Sequence, residues 1–131
     1  MDFFEKEMRE MFEGSELLKD AIYCGKMMIA RLDDKLRVKL VFVRGAMNNY
    51  EGIKMFLLNR WEGEMDKQHF PFSDIIGYRE IDGENERPFI SDYGLDSEWN
   101  FPISSEEKQQ IADKILNYIG MFAEPVMEMR M

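Results

Sequence analysis

The clearest signal of the fold in this sequence is KMMIARLDDKLRVKLVFV, residues 26–43. It contains two β-prone segments, 26–32 and 36–43, separated by Asp33 and Asp34. A pair of aspartates tolerates the tight turn of a hairpin. The stretch therefore predicts two neighbouring antiparallel strands at the start of a sheet.

Within this hairpin the second strand alternates apolar residues with Arg37 and Lys39. Successive side chains of a strand point to opposite faces, so one face is expected to pack in a core and the other to begin polar. A two-residue turn predicts that Ile29 opposes Val38 and that Met27 opposes Leu40. Arg37 and Lys39 would then share the outer face with Met28 and Ala30.

The pattern outside the hairpin predicts an α+β fold: an antiparallel sheet of five to seven strands, flanked by an N-terminal amphipathic helix and a C-terminal helix. The segment 53–59 is expected to be a central strand. The segment 66–72 is expected to be a strand in which Pro71, lacking an amide donor, marks either the end or an edge position. Ser104 and Glu107 form a capping box at the start of the last helix, which Pro125 is expected to stop.

We expect one domain over residues 1–131, since this length can bury a single core without disulfides. Within it, residues 1–14 form the amphipathic N-terminal helix and 126–131 a frayed tail.

Charge is divided unevenly along the chain, which has a net charge of −9. Residues 21–45 carry six basic and two acidic side chains, whereas residues 73–101 carry eight acidic and two basic ones. Such a polarised surface suits binding to a charged partner better than it suits chemistry. Because duplex binding depends on Lys and Arg neutralising phosphates, the acidic balance argues against nucleic acid as a direct ligand.

No residue pattern points to catalysis, a metal site or a cofactor. The single histidine, His69, lies in a predicted strand, and zinc sites need three or four ligands of the His and Cys type. The single cysteine, Cys24, is expected to be a buried free thiol, and its lack of a disulfide partner is typical of a reducing cytosol. No segment is long and apolar enough to span a membrane, so we expect a cytoplasmic, non-enzymatic protein.

Several motifs together resemble a family of small, uncharacterised proteins encoded on conjugative and other mobile elements of gut Firmicutes. The similarity covers about Ile29 to Glu124. Its motifs are Tyr50-Glu51-Gly52-Ile53-Lys54, Asn59-Arg60, Glu62-Gly63-Glu64 with Asp66, Phe70, Phe72, Ser73-Asp74-Ile75, Gly77, Glu98-Trp99 and, in the last helix, Ala112, Tyr118 and Phe122. The resemblance implies the setting of a mobile genetic element, where small acidic proteins are often conflict or accessory proteins and some block host defence nucleases by covering a nucleic-acid channel.

Our first hypothesis is therefore an inhibitor of a host defence system of the anti-CRISPR type, whose acidic surface occupies a nucleic-acid groove of a protein partner. Aromatic anchors would hold the complex. The residues assigned to this surface are Asp74, Glu80, Asp82, Glu84, Glu86, Asp92, Asp96, Trp61 and Tyr93.

Two alternatives remain open at this stage. The protein could bind a small molecule and sequester a nucleotide signal, with Arg31, Arg37 and Lys39 holding phosphates. It could also be a structural or oligomeric accessory protein of conjugation that self-associates through the stripe formed by Phe4, Met8 and Met11.

Overall fold

The predicted α+β architecture is confirmed. The computed structural model describes the backbone of residues 3–45, 50–77, 79–81, 84–90 and 100–129, and the side chains of residues 3–44, 51–77, 88, 90 and 102–122. Its elements are α1 (Phe3–Phe12), β1 (Lys19–Cys24), β2 (Met27–Arg31), β3 (Leu36–Gly45), β4 (Tyr50–Asn59), β5 (Gly63–Pro71), α2 (Phe72–Ile76), β6 (Arg79–Ile81), β7 (Glu84–Phe89), β8 (Asn100–Pro102) and α3 (Ser105–Met129).

The first five strands form one antiparallel sheet in chain order, β1-β2-β3-β4-β5. Strands β6, β7 and β8 form a second, small sheet in which β7 and β8 run parallel. Short connections join neighbouring strands of the large sheet, which is the usual outcome when β-prone segments are separated by only a few turn residues.

One face of the large sheet carries the core, and the three helices contribute to the same core cluster. The fully buried side chains of this cluster are Met8, Phe12, Met28, Val38, Leu40, Ile53, Met55, Leu57, Phe72, Ile111, Ala112, Ile115 and Ile119. The capping box at the start of α3 is confirmed, since Ser104 N donates to Glu107 Oε1 at 2.9 Å and Glu107 N donates to Ser104 Oγ at 3.1 Å.

The predicted register of the first hairpin is wrong by one residue. Ala30 opposes Val38 and Met28 opposes Leu40, so Met28 and Ala30 are buried and their neighbours face outward. The cause is the turn: Asp33 Oδ1 accepts hydrogen bonds from the backbone N–H groups of residues 35 and 36, at 2.7 and 2.8 Å. This makes a three-residue loop, and a one-residue shift moves a strand's side chains to the other face.

Three other local expectations also need correction. Cys24 is exposed at the end of β1, a strand that the sequence did not predict. The segment after Pro71 begins with the helix α2, which the sequence did not predict. Helix α3 continues past Pro125 to Met129, because a proline removes one intrahelical hydrogen bond without always ending the helix.

The apolar stripe on α1, formed by Phe4, Met8 and Met11, packs against the core of the same chain. Met8 is 1% exposed and Met11 is 5% exposed, while Phe4 packs against Phe42 with ring centroids 4.9 Å apart. The methionines of this stripe are therefore covered by the chain's own core, and self-association through the stripe stays an untested prediction. Among the described residues, no helix has the length and apolar character needed to cross a membrane.

Candidate anion-binding face of the sheet

The face of the large sheet opposite the core is its open face, and strand register arranges its side chains in rows. The first row is Cys24, Met27, Val41, Lys54 and His69; the second is Ile22, Ile29, Lys39, Phe56 and Lys67; the third is Lys19, Arg31, Arg37, Leu58 and Glu64. In the described part of the chain these side chains are half-buried or exposed. The open face is thus an available surface that mixes apolar and cationic groups.

Positive charge is concentrated on this face although the whole chain is acidic. Its cations are Lys19, Arg31, Arg37, Lys39, Lys54 and Lys67. The ammonium of Lys39 lies 5.2 Å from the ring centroid of Phe56, and that of Lys67 lies 5.9 Å from it. The basic segment recognised in the sequence is therefore exposed and is extended by one cation each from β1, β4 and β5.

Arg31 and Arg37 lie directly opposite each other on β2 and β3. Like charges at directly opposed positions destabilise a sheet, so this pair of arginines is unfavourable for the fold unless an anion balances its charge. Arg31 is held in place, because its Nε lies 2.9 Å from Asp20 Oδ2 and its NH1 lies 3.4 Å from Asp34 Oδ1. Arg37 is exposed and forms no ion pair with any described residue.

Asp20 owes its position to an unusual backbone. Its φ of 53° lies in the left-handed region, and the register between β1 and β2 shifts between Lys19 and Ile22. Among residues with a side chain, aspartate is one of those that tolerate this conformation best. The irregular strand edge places the Asp20 carboxylate beside Arg31.

A depression of about 280 Å³ lies at this end of the open face. Its lining combines two guanidinium groups, one carboxylate and two isoleucine side chains; the residues are Asp20, Ile22, Ile29, Ala30, Arg31 and Arg37. Two of the three residues predicted to hold phosphates thus meet in one place. The third, Lys39, is directly opposite Ile29 on the neighbouring strand.

The turn between β4 and β5 lies at the same end of the sheet. Arg60 N donates to the carbonyl oxygen of Lys35 at 2.8 Å, which joins this turn to the turn between β2 and β3. Trp61 is 68% exposed, and the guanidinium of Arg60 lies 5.5 Å from its ring. Trp61, assigned from the sequence to the acidic surface, therefore lies nearer to the arginine pair than to Asp74.

Of the nine residues assigned to the acidic surface, the structure describes the side chains of two, Asp74 and Trp61, and these two lie far apart. Asp74 is exposed on α2, just after β5, whereas Trp61 precedes β5. At about 3.3 Å per residue, the nine residues of β5 separate them by roughly 30 Å. Glu80, Glu84 and Glu86 lie in β6 and β7, but their side chains are outside the described set; Asp82, Asp92, Tyr93 and Asp96 lie outside the described residues altogether.

His69, the single histidine, lies directly opposite Lys54 on the neighbouring strand. It is exposed on β5, where partial burial and then the nearby Lys54 lower the pKa of its imidazole, against an opposing effect of Asp74. Among the described residues, no group of three or more His, Cys, Asp or Glu side chains is placed to hold a metal ion.

Sequence reasoning missed five members of this face, namely Lys19, Asp20, Ile22, Lys54 and Lys67. The first three lie on β1, and the available signal was Gly25, whose φ of 57° supports the tight turn into β2. Lys54 was visible in the alternation of β4, but only the register assigns it to the same face as Lys39.

Comparisons with known proteins add no relative. No family model, no curated protein and no solved structure matches the chain. The resemblance to proteins of mobile elements therefore remains a prediction, and the function has to be argued from the geometry.

Proposed function

We propose that the protein is a non-enzymatic binding protein that holds a small phosphate-bearing molecule on the open face of its sheet. One observation carries this proposal: Arg37, Lys39, Lys54 and Lys67 share that face, and none forms an ion pair with a described residue. Cations that form no ion pair with a described residue, in a chain of net charge −9, create a local positive potential that attracts anions.

Phosphate suits this face for two reasons. Guanidinium groups match the geometry of phosphate oxygens and can donate two parallel hydrogen bonds. The negative net charge of the chain disfavours a long polyanion, whereas a small ligand needs to contact only a few cations. We therefore favour a binder of small molecules over a protein that wraps nucleic acid.

The test is isothermal titration of the full chain with inorganic tripolyphosphate. The double variant Lys39→Gln, Lys67→Gln removes two charges from the open face, and Lys6→Gln, Lys114→Gln removes two exposed charges from the helices. We expect affinity to fall with added salt, and the first pair to weaken binding about tenfold, or roughly 1.4 kcal/mol. Absence of binding at low salt, or equal losses in both double variants, would contradict the proposal.

The second candidate is an inhibitor of a host defence system, carried on a mobile element and acting through an acidic surface. The exposure of Asp74 and of Trp61, together with the net charge, favours it. We expect such a protein to block target-DNA binding by one member of a panel of purified CRISPR nucleases, and Asp74→Lys to slow association. If no nuclease of the panel is inhibited, this candidate is rejected in its CRISPR form.

A further inference from the structure

We infer that the depression beside Arg31 and Arg37 is the binding site of a nucleoside monophosphate. The phosphate contacts the two arginines and the base lies on Ile22 and Ile29. This inference rests on the proposed function and narrows it to one end of the open face and one class of ligand.

The part of the depression that would hold the phosphate is formed by Arg31 and Arg37. Two carboxylates fix the guanidinium of Arg31 through Nε and NH1, which leaves further N–H donors of the group for a ligand. Arg37 contributes a second guanidinium with no ion pair to a described residue. An anion between them relieves the repulsion of directly opposed like charges, so binding of the ligand also stabilises the sheet.

The apolar end is formed by a cross-strand pair of isoleucines. Ile22 is 64% exposed, and it lies directly opposite Ile29 on β2. A flat apolar group such as a nucleobase can cover both side chains, with a gain of about 25 cal/mol for each Å² of apolar surface removed from water. The depression of about 280 Å³ is close to the lower end, roughly 300 Å³, of the usual range for small-molecule sites.

Asp20 explains why the ligand is a nucleotide and not phosphate alone. Its carboxylate lines the depression and would repel an unattached phosphate. Only its Oδ2 is engaged by Arg31, so the carboxylate can also accept a hydrogen bond from a ribose hydroxyl or a base amino group. The left-handed backbone at Asp20 costs stability, and such residues concentrate at binding sites.

The experiment compares adenosine 5′-monophosphate, adenosine and inorganic phosphate by isothermal titration with the full chain, and repeats the nucleotide with the other three bases. We expect the nucleotide to bind at least about tenfold more tightly than either fragment, because the two ends act together. Arg37→Gln should weaken nucleotide binding at least about tenfold, since charged hydrogen bonds contribute most at such sites. The nucleotide affinity of Arg37→Lys should lie between those of the parent chain and of Arg37→Gln, because lysine keeps the positive charge but lacks the planar guanidinium.

Two controls locate the site on the open face. Lys114→Gln removes an exposed cation of α3, away from the open face, and should change affinity less than about twofold, within the usual effect of a distant surface charge. Ile22→Ser should weaken binding of the nucleotide and leave the affinity for inorganic phosphate unchanged. Thermal unfolding of each variant confirms folding, and Arg37 and Ile22 are exposed enough for substitution to be tolerated.

The outcomes separate this inference from the proposed function. Equal affinity for nucleotide and inorganic phosphate, or no effect of Arg37→Gln, overturns the site proposed here. If tripolyphosphate binding still depends on Lys39 and Lys67, the proposed function survives that result. If neither nucleotide nor tripolyphosphate binds, both fail.

Discussion

The hydroxyl of Tyr118 on α3 donates a hydrogen bond of 2.5 Å to Asp66 Oδ2 on β5. This hydrogen bond joins α3 to β5, the last strand of the large sheet, on the face opposite the candidate site. The hydrogen bond to Asp66, followed by burial, raises the pKa of the Tyr118 phenol. The contact therefore links the stability of the fold to pH in the alkaline range.

Tyr118→Phe is expected to lower the free energy of unfolding by about 1 kcal/mol, the usual net contribution of one hydrogen bond. A pKa that is higher in the folded state favours the protonated phenol. The stabilisation is thus complete below the unfolded pKa of about 10 and is lost as pH rises through the higher folded value. Urea unfolding at pH 8 and above pH 10 measures both effects.

Part of the loss of stability at alkaline pH should persist in the Tyr118→Phe variant, because burial also raises the pKa of Tyr23. A variant that shows the same stability and the same alkaline slope as the parent chain would show that the contact between α3 and β5 carries no stabilisation.

Lys108→Met is expected to destabilise the fold through Glu7. The Nζ of Lys108 lies 2.6 Å from Glu7 Oε2, and Glu7 is only 8% exposed. Removing the cation leaves a mostly buried carboxylate without its charge partner, at a cost of about 1–3 kcal/mol. Denaturant unfolding of Lys108→Met, Glu7→Gln and the double variant forms a cycle; additive effects would show that the pair is not coupled.

Gly52→Ala is expected to cost about 1–3 kcal/mol, in the range of overpacking. A Cβ atom at this position would lie 2.7 Å from the carbonyl oxygen of Phe70 and 2.8 Å from the Cα of Pro71, so β4 and β5 would have to separate. Gly14→Ala is the matched control, since a Cβ there meets no atom within 4 Å. Equal unfolding midpoints for the two variants would refute the close approach.

Asp33→Ala should destabilise the hairpin by about 1–2 kcal/mol, because two backbone N–H groups lose the side-chain acceptor that closes the loop. Asp33→Asn keeps an acceptor oxygen and should retain most of this stability. Asp34→Ala serves as a control because the Asp34 side chain is 97% exposed. Thermal unfolding ranks the three variants, and a loss at Asp34 larger than at Asp33 would contradict the observed turn.

The same turn shows how far the sequence predicts this molecule. Alternation identified both strands of the first hairpin and the capping box identified the start of α3, since each signal is local. The register depended on whether the loop has two residues or three, which is decided by the hydrogen bonds of Asp33. This one residue placed Arg31 directly opposite Arg37, a relationship that the sequence prediction did not contain.

The candidate site was predicted in part for the same reason. Arg31, Arg37 and Lys39 were selected from a local excess of positive charge, and they do share one face. Asp20 and Ile22 were not selected, because the irregular pairing of β1 at Lys19 hides the alternation that reveals a strand. Phe56 could be assigned to the open face only after the register of β3 with β4 was known.

Anion binding to the open face is tested most directly by a map of amide chemical shifts of the ¹⁵N-labelled chain during titration with inorganic tripolyphosphate. We expect the perturbed amides to lie in β2, β3 and β4, centred on Arg37, Lys39 and Phe56, with shifts that diminish as salt is added. Perturbations confined to α1 and α3, or the absence of any saturable shift at low salt, would contradict the assignment of the open face as the binding surface.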